Sequence, residues 1–284
     1  MLGRWGKDAG SLLGVEITPD CVQIMQVRRH GGRCERVAWG REPFEPFAAG
    51  SWQQDPGRVE AALRGAYRRS GSRQRRVAVA LPASQVIIKL CQLPASQAEA
   101  QMEAQLLADA DTLFPFPLDD LVIDFQVRGV SSGRPDHRDV VVAACRQSTL
   151  QPLELLFEGA GLQLDAVEVD SVALHRLLPA HCATTSALLC LESGGATLYG
   201  WSQGGLPQRH ELPGQTWAER LAELFAGGVQ LDELLICGTA PEQHDWLAAL
   251  SNQLGVPCRM LPAVAGLDCS EGSLACALAL GGLR

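Results

Sequence analysis

The chain has 284 residues, 46% of them hydrophobic, with a formal net charge of −8 and a pI near 5.3. That length and apolar content allow one large domain or two lobes with separate cores, and exclude a disordered chain. The acidic balance excludes a general nucleic-acid binder, which needs a basic face.

Leu12–Val27 reads as two short strands around a turn at Thr18-Pro19-Asp20, and Cys34–Trp39 supplies a third. Pro56 opens a helix that runs to Arg69, with Val59, Leu63 and Ala66 on one face. Arg64, Arg68, Arg69, Arg73, Arg75 and Arg76 crowd its end. They read as a solvated helix terminus that complements the helix dipole; a face for anionic lipid or an acidic partner is the sharper alternative. Val77–Leu81 and Val86–Leu90 are β-branched strands separated by Pro82-Ala83-Ser84. A helix is expected over Ser96–Leu113, with Ser96 as its cap and Glu99 completing a capping box. Pro115 and Pro117 end it and set the angle to a strand at Leu121–Val127. Ser131–Arg138 is a polar hairpin loop before the strand Asp139–Cys145. Thr149–Ala160 is a helix stopped by glycines, Leu164–Val169 a strand and Ser171–Leu178 a short helix.

After a linker at His181–Thr185 the pattern restarts. Ala187–Glu192, Ala196–Trp201 and Leu206–Glu211 are strands with glycine turns, followed by a helix at Thr216–Phe225, a strand at Glu233–Cys237 and a helix at Pro241–Leu254. A small-residue helix, Ser273–Leu280, closes the chain. A β-β-β-α-β-α order in both halves reads as an internal duplication, two related α/β lobes around a cleft. The ten cysteines form no C-x-x-C pair and fall within apolar strands and helices, so they are expected as buried thiols of a reducing compartment. Neither a leader peptide nor a membrane span is expected.

The stretch FPFPLDDLVIDF (Phe114–Phe125) and the strand VVVAACR (Val140–Arg146) resemble the central block of PilM. PilM is the actin-like cytoplasmic protein of the type IV pilus inner-membrane platform. The resemblance rests most firmly on Pro115, Pro117, Leu118, Asp124, Phe125 and Ala143–Arg146. Gly161-Leu162 and Val167–Asp170 resemble the family's return strand. It implies an α/β, actin-like (FtsA/PilM-type) two-lobed fold, with residues 1–80 and 163–180 in the first lobe, an inserted subdomain at 81–162, and a shortened second lobe at 186–284.

Actin-like ATPases hold nucleotide between two strand–turn–strand hairpins and a further glycine turn. The resemblance carries these roles onto Glu16 and Thr18, onto Glu192, Ser193, Gly194 and Gly195, and onto Gly238 and Thr239. Each turn departs from the family pattern: Glu16 and Glu192 stand for aspartates, Pro19 removes an N–H donor, and Cys237 replaces a glycine. Mg²⁺ demands a near-octahedral shell that a longer side chain disturbs. No cofactor is therefore the expectation, with ATP and Mg²⁺ left open. PilM proteins capture the cytoplasmic tail of the membrane protein PilN, a peptide built around Asn-Leu-Leu-Pro. Leu106, Leu113, Phe114 and Phe116 are the candidates to line such a groove.

Other residues draw structural readings. His175 is a helix-surface or satisfied core histidine, Trp201 and Trp217 pack the second lobe, and Asp165, Glu168 and Asp170 are carboxylates whose chemistry would need a formed cleft. The expected function is a cytoplasmic scaffold, peripheral at the inner membrane through a partner and without chemistry of its own. It would bind a PilN-like peptide, other platform proteins and motor ATPases, and no nucleic acid. No catalytic or metal-ligating residue is assigned. The alternatives are a nucleotide-switched ATP-binding pilus protein, with Glu16 and Glu192 acting as aspartates, and a type II secretion platform component.

Overall fold

The computed structural model describes residues 12–47, 52–179, 185–202, 206–227, 231–238 and 245–283. The chain opens with strands β1 (Leu13–Ile17), β2 (Cys21–His30) and β3 (Arg33–Pro43). Helix α1 (Pro56–Ser70) follows. Asp55 caps it, its Oδ1 accepting from Arg58 N at 3.2 Å. Gly71, with φ 67°, ends it in the left-handed conformation. Next come β4 (Arg76–Leu81), β5 (Ile87–Pro94), α2 (Glu99–Ala108), α3 (Ala110–Leu113), β6 (Leu121–Val130), β7 (His137–Arg146), α4 (Gln147–Gly159), β8 (Gln163–Val169) and α5 (Asp170–Leu174). The second half runs β9 (Thr185–Glu192), β10 (Gly195–Ser202), β11 (Gln208–Pro213), α6 (Trp217–Ala226), β12 (Glu233–Gly238), α7 (Trp246–Leu254), β13 (Cys258–Met260) and α8 (Ser273–Gly281).

Two five-stranded sheets share one plan. The first has the order β3-β2-β1-β4-β8 and the second β11-β10-β9-β12-β13. In each, the first three strands pair antiparallel and the last two join in parallel. The repeat expected from the order of elements is thus present strand for strand in the two sheets. Its fifth member in the second half, β13, escapes sequence reading. An antiparallel sheet of three strands, β5-β7-β6, is placed between β4 and β8.

The expected helix 96–113 is two helices. Ser96 does not cap; α2 starts three residues later, where Ala98 N donates to Gln101 Oε1 at 3.0 Å. The helix breaks at Asp109, and Phe114 turns into extended backbone before the prolines.

Each sheet has its own core. β1, β2 and β4 pack Leu13, Val22, Ile24 and Val79 against Leu63 of α1 and Leu153 and Phe157 of α4. α4 belongs to residues 81–162 in sequence, yet its buried face joins the core of the first sheet. The second sheet packs against α6 and α7, and the three-stranded sheet against Met102, Leu106 and Phe114. A further core lies between the two large sheets, around α8. That helix is built of small residues, and Gly14 lets β1 approach it: a Cβ there would lie 1.9 Å from Ala275 O and 2.7 Å from Ala279 N. Cys276, expected as a thiol, is joined to Cys269 in a disulfide. Among the described residues no helix is long and apolar enough to cross a membrane.

Candidate functional site

The first hairpin closes on itself. Thr18 Oγ1 donates to Asp20 Oδ1 at 2.8 Å and accepts from Cys21 N at 3.0 Å. Glu16, at the end of β1, turns towards α8, and its Oε2 accepts from Ala275 N at 3.4 Å. The carboxylate therefore sits at the amino terminus of α8, among amides that carry a partial positive charge. Enclosure pushes its pKa up to about 7; the Ala275 and Leu274 amides pull it down, while Glu192 pushes it further up.

The second hairpin reaches the first. The Ser193 side chain hydrogen-bonds Asp20. Burial raises the Asp20 carboxyl, but hydrogen bonds with Ser193 and Thr18 and the charge of Arg41 outweigh it and hold the group below its usual range. Glu192 keeps an exposed surface. Its carboxyl is nonetheless pushed up, first by the surrounding protein and then by Asp20, Glu211 and Asp170, against Arg209. Gly195 has φ 145°, and a Cβ would stand 2.4 Å from Leu212 O; Gly194 faces open space.

At the third turn Gly238 has φ 93° and abuts Leu191, where a Cβ would come within 2.1 Å of the carbonyl oxygen. Its N–H donates to Ser270 O at 2.9 Å. Cys237 lies beside Cys190 on the neighbouring strand, the two Sγ atoms 3.1 Å apart. Thr239 lies outside the described residues.

The charge of Glu192 on Glu16 and the Ser193–Asp20 hydrogen bond thus bring the first two turns, with Thr18, Gly194 and Gly195, near each other, and Gly238 abuts Leu191 at the base of the second. Mg²⁺ asks for near-ideal octahedral geometry, and the Glu16 carboxyl is here turned to the amides of α8. Among the described residues no group of three His, Cys, Asp or Glu could hold a metal.

The hinge residues divide. Leu106 and Phe114 are buried in the core under the three-stranded sheet, while Leu113 and Phe116 lie at its margin, half-buried. Lys89 of β5 reaches over the Phe114 ring at 5.7 Å, and the Arg146 guanidinium lies over Phe116 at 5.2 Å. Leu107 on α2, Leu118 after the prolines and Leu90 on β5 are exposed. β5 is an edge strand.

A family model described as type IV pilus assembly protein PilM matches residues 14–187, more than half of the chain. The chain belongs to the PilM family. Its role lies in type IV pilus assembly. A chain of a solved PilM–PilN type IV pilus biogenesis complex is 18% identical and superposes with a TM-score of 0.75, covering 98% of this chain and 100% of that one. The cytoplasmic domain of EpsL, an inner-membrane component of the type II secretion system of Vibrio cholerae, is 17% identical at TM-score 0.52, covering 96% and 94%. The ethanolamine utilization protein EutJ from Carboxydothermus hydrogenoformans is 12% identical at TM-score 0.52, covering 99% and 92%. The fold is actin-like.

In this PilM-family chain the two carboxylates of β8 and the one that opens α5 are tied to partners within the protein. Asp165 takes a bidentate pair from Arg76, at 3.0 and 2.7 Å, and Glu168 pairs with Arg176. Asp170, 3% exposed, accepts from the backbone N–H of Ala83 and Ser171 and from Tyr199 OH at 3.0 Å. Its second oxygen also meets Arg209 Nε at 3.0 Å. Burial pushes the Asp170 carboxyl up, against Arg209 and these hydrogen bonds. This network ties the first sheet to β10 and β11 of the second. Sequence reading picked out Asp170 but neither Tyr199 nor Arg209, since no spacing signals a partner across two lobes. Trp201, expected to pack the second lobe, also reaches across: its Nε1 donates to Ser171 O at 3.1 Å, and its ring lies 5.5 Å from that of His175.

Proposed function

We propose that this chain is a binding scaffold of the type IV pilus inner-membrane platform. It holds the cytoplasmic tail of a PilN-like membrane protein and performs no chemistry of its own. The observation that carries the reading is the placement of Glu16. The side chain a nucleotide site would use for Mg²⁺ is engaged at the amino terminus of α8. The likeness to a PilM–PilN chain supports the choice of partner, and the family match favours the pilus platform over the secretion platform of EpsL.

The tail is an extended peptide with leucines at its centre. The hinge offers apolar side chains to receive them in Leu113, Phe116 and Leu118, close to β5, which among the described residues is an edge strand and so suits an added strand. Leu106 and Phe114 support that surface from beneath. The chain is cytoplasmic and peripheral at the inner membrane. Other platform proteins and the motor ATPases meet it there.

Calorimetric titration with a peptide carrying Asn-Leu-Leu-Pro tests the partner. Saturable binding is expected, weakened about ten-fold (~1.4 kcal/mol) by Phe116→Ala. Leu155→Ala, at an exposed leucine on α4, leaves it unchanged. A peptide that does not bind, or binds both variants alike, would refute the groove.

A further inference from the structure

A concentration of positive charge lies at the tip of the β2–β3 hairpin, outside the residues assigned to the cleft and hinge. The connecting residues Gly31 and Gly32 have φ 56° and 80°, the conformation of a tight two-residue turn, with open space around both. All six residues from Arg28 to Arg33, RRHGGR, are exposed. Gln26, Arg28 and His30 share one strand face. The Ser72 hydroxyl donates to Gln26 Oε1 at 2.7 Å, which holds the loop after α1, with exposed Arg73 and nearby Arg68, alongside that face.

The acidic neighbours are few and committed. Glu35 pairs with Arg28, Glu42 with Arg69, and Asp268 faces Arg36. Of the six arginines crowded near the end of α1 in sequence, Arg64, Arg75 and Arg76 bond to Glu60, the Gly161 carbonyl and Asp165. Arg29, Arg33, Arg68 and Arg73 make no ion pair among the described residues. Four cations without an ion pair among the described residues thus lie near the hairpin tip and the end of α1, in a chain whose net charge is −8.

A protruding turn offers no concavity to enclose a small anion, and His30 is its only ring for stacking a base. A broad anionic plane fits it. We infer that this tip docks on the anionic headgroups of a lipid bilayer, turning the acidic bulk of the chain away from the membrane. The contact is separate from the peptide surface and adds to any tethering by a partner. Such attraction grows with each basic side chain near the surface and is screened by salt.

Co-sedimentation of the full chain with vesicles, either phosphatidylcholine alone or containing a third phosphatidylglycerol, tests it. Binding to the anionic vesicles alone is expected, falling steeply between low and physiological salt. Replacing Arg29, Arg33, Arg68 and Arg73 together by Gln should lower partition at least ten-fold with the thermal melt unchanged. Replacing Arg128, Arg134 and Arg138 of the β6–β7 hairpin by Gln should change it less than two-fold. Equal partition of the quadruple variant and the parent would overturn the inference. So would a parent that ignores anionic vesicles but binds an acidic polypeptide or DNA.

Discussion

Glu16 joins a charge to a helix end. Its carboxyl is raised from 4.5 to about 7 in the folded chain, so folding favours the protonated form. The stability it lends is complete below pH 4.5 and is lost as pH rises through 7, because the unfolded chain releases its proton first. Glu16→Gln keeps an acceptor for Ala275 N and removes the charge. The variant is expected to be more stable than the parent at pH 8, by ~2 kcal/mol or roughly 4–8 °C in Tm, and nearly equal at pH 5. Calorimetric melts at the two pH values check this; a variant destabilised at pH 8 would mean that the ionised carboxylate is what the helix end needs. Burial raises the Asp170 carboxyl as well, but its charge meets a guanidinium, that of Arg209 at 3.0 Å. Asp170→Asn leaves a guanidinium half-matched between the lobes, and a loss of ~2–4 kcal/mol is expected, read as a lower urea midpoint. An unchanged midpoint would reduce the network to decoration.

At the scale of elements, α8, from the second half of the chain, packs against β1, β2 and β4 and shares a core with residues of the second sheet. Its alanines allow β1 to lie against it, and Gly14 makes that approach possible. Gly14→Ala drives a methyl group into helix backbone that cannot yield locally, so ~2–4 kcal/mol and much soluble yield should be lost. Gly133→Ala, with nothing within 4 Å, should melt as the parent does. Elements with strong local signals were legible from sequence: Pro56 and the Val59-Leu63-Ala66 face mark α1, and the paired prolines mark the hinge. The break at Asp109 was not, because no glycine or proline announces it. β13 was missed for another reason: three residues are too few to show alternation. The duplicated order of strands was readable because each half opens with the same three strands and tight turns.

For the molecule as a whole, the family block at residues 114–146 gave the fold, while the wiring of the cleft stayed hidden. Glu16 finds its partners more than 250 positions later in the chain, and Asp20 meets Ser193 across the cleft. Such contacts leave no periodicity to read. We propose that the cleft is a joint between two lobes, built from the turns that in a working actin-like ATPase would hold phosphate. Calorimetric titration of the folded chain with Mg-ATP tests that most directly. No saturable heat is expected up to millimolar nucleotide in a protein that still melts cooperatively. Saturation at micromolar Mg-ATP, abolished by Glu192→Ala, would contradict it and make this chain a nucleotide-switched member of its family.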